Sequence, residues 1–271
     1  MRIDIAAHVG HWPFRPFPET CRSLLSRMDA TQVTTAVVSN LNGLFYQNPE
    51  NANAELATWL ADDAEARRRL IPFAVINPTY PGWRDDASAC LKQRAFAGVR
   101  LYPQYHDYTL ADPALAELFR WAEDEQTAVA FSLRMIDARG RSWLDTKVVE
   151  AETEQLRLEA IAGVLKQFPL LRCIILQSIF EQLSPATEEF LRNARVLFDT
   201  TRATTCGVAG PNSYDWWKES RRFGEAKFAF GSMAPFTDDL SPILRLSARP
   251  MSKEQAAAVW GGNARKFLKL P

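Results

Sequence analysis

The sequence predicts an α/β protein, built as a single (β/α)8 barrel that occupies residues 1–271. Eight short apolar runs are spread along the whole chain, and a helical pattern or a loop separates each run from the next. No linker, repeat or low-complexity segment divides the chain. A doubly wound open sheet is the alternative, but it usually needs fewer strands and often a glycine-rich first turn, which is missing here.

The apolar runs are predicted to be the strands. They are too short for helices, and most are rich in β-branched or aromatic residues. Continuous apolar character is typical of parallel strands that are covered on both faces. The eight runs are Ile3–Ala7, Thr35–Val38, Pro72–Ile76, Gly98–Leu101, Ala128–Leu133, Cys173–Leu176, Val196–Phe198 and Phe228–Phe230.

Capping patterns and helical spacing predict the helices between the strands. Asp112–Pro113 and Ser184–Pro185 each place a capping side chain before a proline at the first helical position. Ser252 and Gln255 form a capping box, and the helix that they open is expected to end near Gly261–Gly262. Helical spacing alone predicts two longer helices, over Glu50–Arg68 and Ala151–Gln167.

The composition excludes several classes of protein. Of the 271 residues, 47% are hydrophobic and 24% are charged, and the formal net charge is zero. This balance is typical of an ordinary globular domain and predicts neither a nucleic-acid nor a membrane partner. The start of the chain lacks the pattern of a secretory signal, and the four cysteines form no CxxC pair. We therefore expect a cytoplasmic protein with reduced thiols.

Six fragments carry a resemblance to a known family, and they follow its order over nearly the whole chain. They are Ile3–Gly10 (IDIAAHVG), Gly98–Pro103 (GVRLYP), Phe168–Gln177 (FPLLRCIILQ), Val196–Thr200 (VLFDT), Phe230–Phe236 (FGSMAPF) and Asn263–Leu268 (NARKFL). Together they resemble the amidohydrolase-related (amidohydrolase 2) family of metal-dependent TIM-barrel hydrolases, a group that includes decarboxylases. The resemblance implies the same barrel fold as the strand pattern.

The resemblance also implies a set of metal-ligand positions, which this chain does not preserve. In the family, two histidines on strand one, one each on strands five and six, and an aspartate on strand eight surround the metal. The matching residues here are Ala6, His8, Ser132, Gln177 and Met233. Ala6 and Met233 offer no nitrogen or oxygen, whereas a catalytic zinc needs about three protein ligands. The family's aspartate also takes the proton from the attacking water, which Met233 cannot do. We therefore expect no metal and no cofactor.

Polar residues at the predicted strand ends are the candidates for a binding site. The strand period of two places Arg100 and Tyr102 on the same face of strand four, and Ser132 and Arg134 on the same face of strand five, at one rim of the barrel. Guanidinium groups bind carboxylate or phosphate in a bidentate fork, so these residues predict a small anionic ligand. The predicted substrate-binding residues are Arg100, Tyr102, Arg134 and Gln177, and the predicted catalytic residues are His8 and Asp199.

Structural roles for the same residues stay open alternatives. His8 is equally compatible with a core histidine bonded to Gln177 or Asp199. Arg100 and Arg134 could instead form rim ion pairs, since a buried arginine is usually paired. The carboxylates in reach of them are Asp137, Glu181 and Asp199.

Three functions are compatible with these residues, and whether the protein is an enzyme stays open. The first is a metal-independent hydrolase of the lactonase type, a chemistry that metal-free relatives of such barrels perform. The second is a catalytically inactive relative, a pseudoenzyme that binds a ligand or partner. The third retains a metal through His8, Asp199 and waters. A mouth rimmed by unpaired arginine favours the first, and one plugged by Trp12, Met233 and the 137–149 loop favours the second. Such barrels are compatible with homo-oligomers, which the sequence does not specify.

Overall fold

Eight parallel strands form one sheet and pair in sequence order. The computed structural model describes residues 1–14, 16–17, 20–133, 157–178, 180, 182–201, 216–237 and 240–271. Between the last strand and the first, the backbone N–H of Ile5 donates to the Phe230 carbonyl at 3.0 Å, and that of His8 donates to the Ala234 carbonyl at 2.9 Å. The sheet is therefore a nearly closed barrel, and the predicted (β/α)8 class is confirmed.

The observed strands agree with the predicted runs in number and order, and their ends differ by at most two residues. They are β1 (Ile3–Val9), β2 (Thr35–Asn40), β3 (Leu70–Val75), β4 (Gly98–Leu101), β5 (Ala128–Ser132), β6 (Arg172–Leu176), β7 (Val196–Asp199) and β8 (Phe228–Ala229).

Helices alternate with these strands. In chain order they are α1 (Cys21–Thr31), α2 (Glu50–Asp62), α3 (Ala64–Arg69), α4 (Trp83–Gln93), α5 (Pro103–His106), α6 (Pro113–Asp124), α7 (Leu158–Leu165), α8 (Pro185–Asn193), α9 (Trp216–Phe223), α10 (Ser241–Ser247), α11 (Lys253–Ala257) and α12 (Asn263–Leu268). The predicted caps are confirmed: the side chains of Asp112, Ser184 and Ser252 accept hydrogen bonds from the first turns of α6, α8 and α11.

Two helix predictions are wrong in their extent. The single helix expected over Glu50–Arg68 is divided into α2 and α3 at Asp63, whose extended backbone leaves its carboxylate free to cap α3. The double glycine Gly261–Gly262 does not end a helix, because a π-helical turn over Ala258–Gly262 continues into α12. At Gly261 the glycine allows close packing: a Cβ there would lie 2.9 Å from the Met1 carbonyl oxygen.

The alternation of side chains along the strands separates two apolar layers. The outward-facing layer packs against the helices, and the inward-facing layer includes Ile5, Val37, Phe73, Ile174 and Leu197. The interior is tightly filled at this level, since a Cβ on Gly98 would lie 2.6 Å from the Phe73 ring. The next inward position on each strand lies nearer its carboxyl end, where barrel sites form.

Two further observations concern the cysteine thiols and the lengths of the helices. Cys21, Cys90 and Cys173 are buried and free, whereas Cys206 lies outside the described residues. No helix in the described part of the chain is long and apolar enough to cross a membrane.

Candidate functional site at the carboxyl ends of the strands

Arg100 occupies the interior at the end of β4 and is completely buried. Its Nε donates to the Ser132 hydroxyl at 2.9 Å, and its Nη1 donates to the Ala7 carbonyl at 3.0 Å. Nη2 is buried and has no hydrogen-bond partner among the described residues, which also place no carboxylate in an ion pair with Arg100. The predicted alternative of a pair with Asp199 is therefore wrong: the carboxylate interacts with Arg100 through its charge, without direct contact.

His8 also points into the barrel and is completely buried. Its Nδ1 lies 3.2 Å from the Ala234 carbonyl oxygen. The predicted hydrogen bond from His8 to Gln177 or Asp199 is therefore wrong. Burial, with a smaller contribution from the charge of Arg100, holds the pKa of His8 well below its ordinary value. The imidazole is therefore neutral at pH 7. Because a carbonyl can only accept, Nδ1 carries the proton, and the buried Nε2 offers a lone pair without a partner in the described structure.

Asp199 is the last residue of β7 and is buried. Its Oδ1 accepts a hydrogen bond from the backbone N–H of Gln177 at 2.8 Å. Burial raises the pKa of Asp199 to about 6, while the Thr201 hydroxyl, the Gln177 N–H and the charge of Arg100 oppose the rise. A carboxyl group with a pKa near 6 exchanges its proton readily at neutral pH, which suits a general acid or base.

Tyr102 and two serines complete the wall around the guanidinium. The Arg100 guanidinium carbon lies 5.5 Å from the centroid of the Tyr102 ring, and the His8 ring lies 6.3 Å from the same ring. Burial raises the pKa of the Tyr102 hydroxyl, opposed by Arg100 and by the hydroxyls of Ser39 and Ser132. Sequence reasoning missed Ser39, although its parity with the inward Val37 at the end of β2 could have found it.

An aromatic and aliphatic cover lies over one side of the mouth. We call Trp12, Met233, Phe236 and Tyr102, with Leu41, Leu44 and Val75, the roof cluster. Trp12 is 1% exposed and Met233 is 5% exposed, and the Trp12 and Phe236 rings meet edge to face at 4.8 Å. Trp12 and Met233, which the sequence indicated as residues that could plug the mouth, are thus packed together in the roof cluster. Phe236, which also contacts His8 at 5.9 Å, was not singled out from the sequence.

Several predicted site residues lie outside the described residues. Of the substrate-binding candidates this applies to Arg134. It also applies to Asp137, Glu181, the 137–149 loop and the first part of the helix predicted over Ala151–Gln167. The structure thus brings together His8, Arg100, Tyr102 and Asp199, with the backbone of Gln177 against Asp199.

The sequence of the chain also matches a known protein family. A model described as Amidohydrolase matches residues 3–270. The chain belongs to the amidohydrolase family. No curated protein shows significant similarity to the chain.

Solved structures of low sequence identity share the amidohydrolase barrel. The 5-carboxyvanillate decarboxylase of Sphingomonas paucimobilis is 15% identical, with a TM-score of 0.71 over 100% of this chain and 99% of that one. The 5-carboxyvanillate decarboxylase of Novosphingobium aromaticivorans, solved with manganese, is 15% identical, with a TM-score of 0.73 over 100% and 96%. The 2,6-dihydroxybenzoate decarboxylase of Rhizobium is 15% identical, with a TM-score of 0.68 over 99% and 98%. At this identity the likeness shows the fold.

The residues of this chain do not fit the metal that other amidohydrolase barrels hold. Ala6 is buried in the apolar inner layer, and Met233 belongs to the roof cluster. Ser132 is engaged by Arg100, which leaves the His8 imidazole as the only strong ligand among the five family positions. The described residues contain no group of three or more His, Cys, Asp or Glu side chains that could hold a metal ion.

Proposed function

We propose that this amidohydrolase-family protein is a metal-independent hydrolase of the lactonase type, acting on a small anionic substrate. The observation that carries the proposal is the buried guanidinium of Arg100, whose Nη2 has no partner in the described structure. A buried charged donor is normally paired, because an unmatched one is costly. An oxyanion of the substrate would supply the missing partner, and Arg134 is proposed as the second guanidinium.

Two further buried polar atoms support a ligand beside Arg100. His8 Nε2 and Trp12 Nε1 are buried and lack hydrogen-bond partners in the described part of the chain. Both rings contact Phe236, so they border the same region of the mouth. Trp12 Nε1 is a donor and His8 Nε2 is an acceptor, so a ligand that carries both an acceptor oxygen, such as a carboxylate or ester oxygen, and a hydroxyl group that donates matches them.

The proposed reaction is the hydrolysis of a cyclic ester. A water oxygen bonds to the carbonyl carbon while Asp199 or His8 Nε2 accepts the water proton. Negative charge develops on the carbonyl oxygen, where the guanidinium of Arg100 stabilises it. The ring C–O bond then breaks, and the leaving oxygen takes the proton back from the same base. The product is a hydroxy acid, and Tyr102 and Gln177 are proposed to orient the substrate.

The experiment that tests the proposal combines binding with turnover. Thermal-shift measurements with small carboxylates and inorganic phosphate should show stabilisation. Carboxyl-bearing lactones should be hydrolysed at the same rate with and without a chelator, as followed by proton release. Asp199→Asn should lower kcat/KM by roughly 10²–10⁴-fold, and the matched control Asp62→Asn, at an exposed position, should not. Absence of both stabilisation and turnover across the panel would rule the proposal out.

A second candidate function is a catalytically inactive, ligand-binding relative. The burial of Trp12 and Met233 in the roof cluster favours it, because a covered mouth restricts the entry of substrate. Such a protein would be stabilised by a carboxylate yet hydrolyse no lactone. The same two measurements therefore separate the candidates.

A further inference from the structure

Arg100 forms hydrogen bonds with two strands that carry metal-ligand positions in the family, β1 and β5. Its Nη1 donates to the carbonyl of Ala7, which lies between the two family positions on β1, Ala6 and His8. Its Nε donates to Ser132, the family position on β5. The guanidinium therefore spans the interior between two strands that supply metal ligands elsewhere in the family.

Acidic groups act on the buried guanidinium through their charge. Burial lowers the pKa of Arg100, and the charges of Tyr102, Asp199 and Asp4 oppose that shift and favour the cationic form. His8 lies on the same interior surface, with its ring centroid 6.3 Å from that of Tyr102. The interior ends of the strands thus carry the Asp199 carboxyl group, the His8 imidazole and the Arg100 guanidinium, whereas Asp4 faces α1 beside Leu24 and Met28.

A divalent metal cannot share this space at low energy. Arginine stays protonated under all ordinary conditions, so its charge cannot be removed to make room. Repulsion between a guanidinium and a dication a few ångströms apart is severe in a buried site. The donors that would compensate are absent, since Ala6 and Met233 carry no nitrogen or oxygen and Ser132 already accepts from Arg100.

We propose that the guanidinium of Arg100 is the resident cation of this barrel, held by Ala7 and Ser132 in place of the family's metal ion. It supplies permanently a positive charge that acts on the interior carboxylate of Asp199, and its Nη2 remains for an incoming oxyanion. The inference rests on the metal independence within the proposed function, but it does not require that the protein hydrolyse anything.

The first arm of the test is metal content and metal response of the full chain, purified without a metal-binding tag. Elemental analysis should find zinc and manganese far below one equivalent per chain. The melting temperature should be unchanged by EDTA and should not rise with added Zn²⁺ or Mn²⁺. One bound equivalent, or a loss of stability in EDTA, would overturn the proposal.

The second arm separates the charge of Arg100 from its role as a hydrogen-bond donor. Arg100→Lys keeps a cation with shorter reach, and Arg100→Gln keeps an amide donor without the charge. At about pH 8, the Gln variant should melt roughly 5–15 °C below the wild type, and the melting temperature of the Lys variant should lie nearer to that of the wild type. The matched controls are Arg67→Lys and Arg67→Gln at an exposed position, which should differ little from each other.

The second arm of the test is decided by which variant, Arg100→Lys or Arg100→Gln, has the higher melting temperature. A Gln variant as stable as the Lys variant would assign Arg100 a scaffold role and overturn the proposal. If both variants fail to fold, the metal measurements on the wild type still decide. A further outcome is a protein that contains no metal and shows a higher melting temperature for Arg100→Lys than for Arg100→Gln, yet hydrolyses no lactone. That result would support Arg100 as the resident cation and rule out only the proposed hydrolase activity.

Discussion

The carboxylate of Asp199 accepts a hydrogen bond at 2.8 Å from the backbone N–H of Gln177. Gln177 has a φ of 56°, in the left-handed region, which costs a residue with a Cβ about 1–2 kcal/mol. The hydrogen bond between Asp199 on β7 and Gln177 stabilises the strained turn that follows β6. Asp199 therefore combines a structural acceptor with a carboxyl group that is poised to exchange a proton. Asparagine keeps the acceptor and removes the proton exchange, so Asp199→Asn separates these roles.

The stability of the protein is predicted to depend on pH through Asp199. Its folded-state pKa of about 6 lies above the ordinary aspartate pKa of 3.8, so the folded state binds the proton more tightly. Stability is thus lost as pH rises from about 4 to about 6, and the loss is constant above that range. The wild type should lose up to about 3 kcal/mol relative to Asp199→Asn across this window.

Urea denaturation of both proteins at a series of pH values checks this prediction. Asp62→Asn serves as the surface control and should run parallel to the wild type. Parallel curves for the wild type and Asp199→Asn between about pH 4 and 6 would show that the Asp199 proton is bound equally in both states.

Catalysis by Asp199 predicts a second pH dependence. If Asp199 is the base, kcat/KM for a lactone should rise with pH through about 6 and then level off, as the carboxyl group ionises. Asp199→Asn should lower kcat/KM by roughly 10²–10⁴-fold. A rate that rises with pH in the Asn variant as it does in the wild type would move the role of base to another group, with His8 as the next candidate.

The sequence predicted the barrel because its strands are apolar on both faces, and this property is local. Arg100 and Tyr102 were placed correctly on one inward face, since parity within a strand needs no tertiary information. The partner of His8 was not predictable in this way, because it is the carbonyl of Ala234, 226 residues along the chain in the turn after β8. The charge of Arg100 likewise acts on residues that only the closed barrel brings together.

Trp12 is predicted to be a major anchor of the roof cluster. The ring is 1% exposed and contacts Phe14, Phe45, Tyr105 and Phe236. Trp12→Ala should destabilise the protein by about 3–5 kcal/mol, since it removes a large buried ring and leaves a cavity. Phe14→Ala, at a ring that is 39% exposed, is the control and should cost about 1 kcal/mol or less.

Chemical denaturation at pH 7 measures both roof variants. Equal losses of free energy of unfolding would mean that the ring of Trp12 is not packed as described. Ligand association should also become faster in Trp12→Ala if the roof cluster limits entry, which stopped-flow measurements would detect.

Two helical glycines are predicted to respond in opposite directions to the same substitution. Gly163 lies in α7 with no atom within 4 Å of an added Cβ, so Gly163→Ala should stabilise the protein by up to about 1 kcal/mol. Gly261 lies against the start of β1, where a Cβ would meet the Met1 carbonyl oxygen at 2.9 Å and Ile3 Cγ1 at 3.3 Å. Gly261→Ala should therefore destabilise by about 1–3 kcal/mol, because the π turn must move away from β1. Thermal denaturation of the two variants side by side tests the difference in sign, and stabilisation by Gly261→Ala would show that the close packing of this turn on β1 is not required.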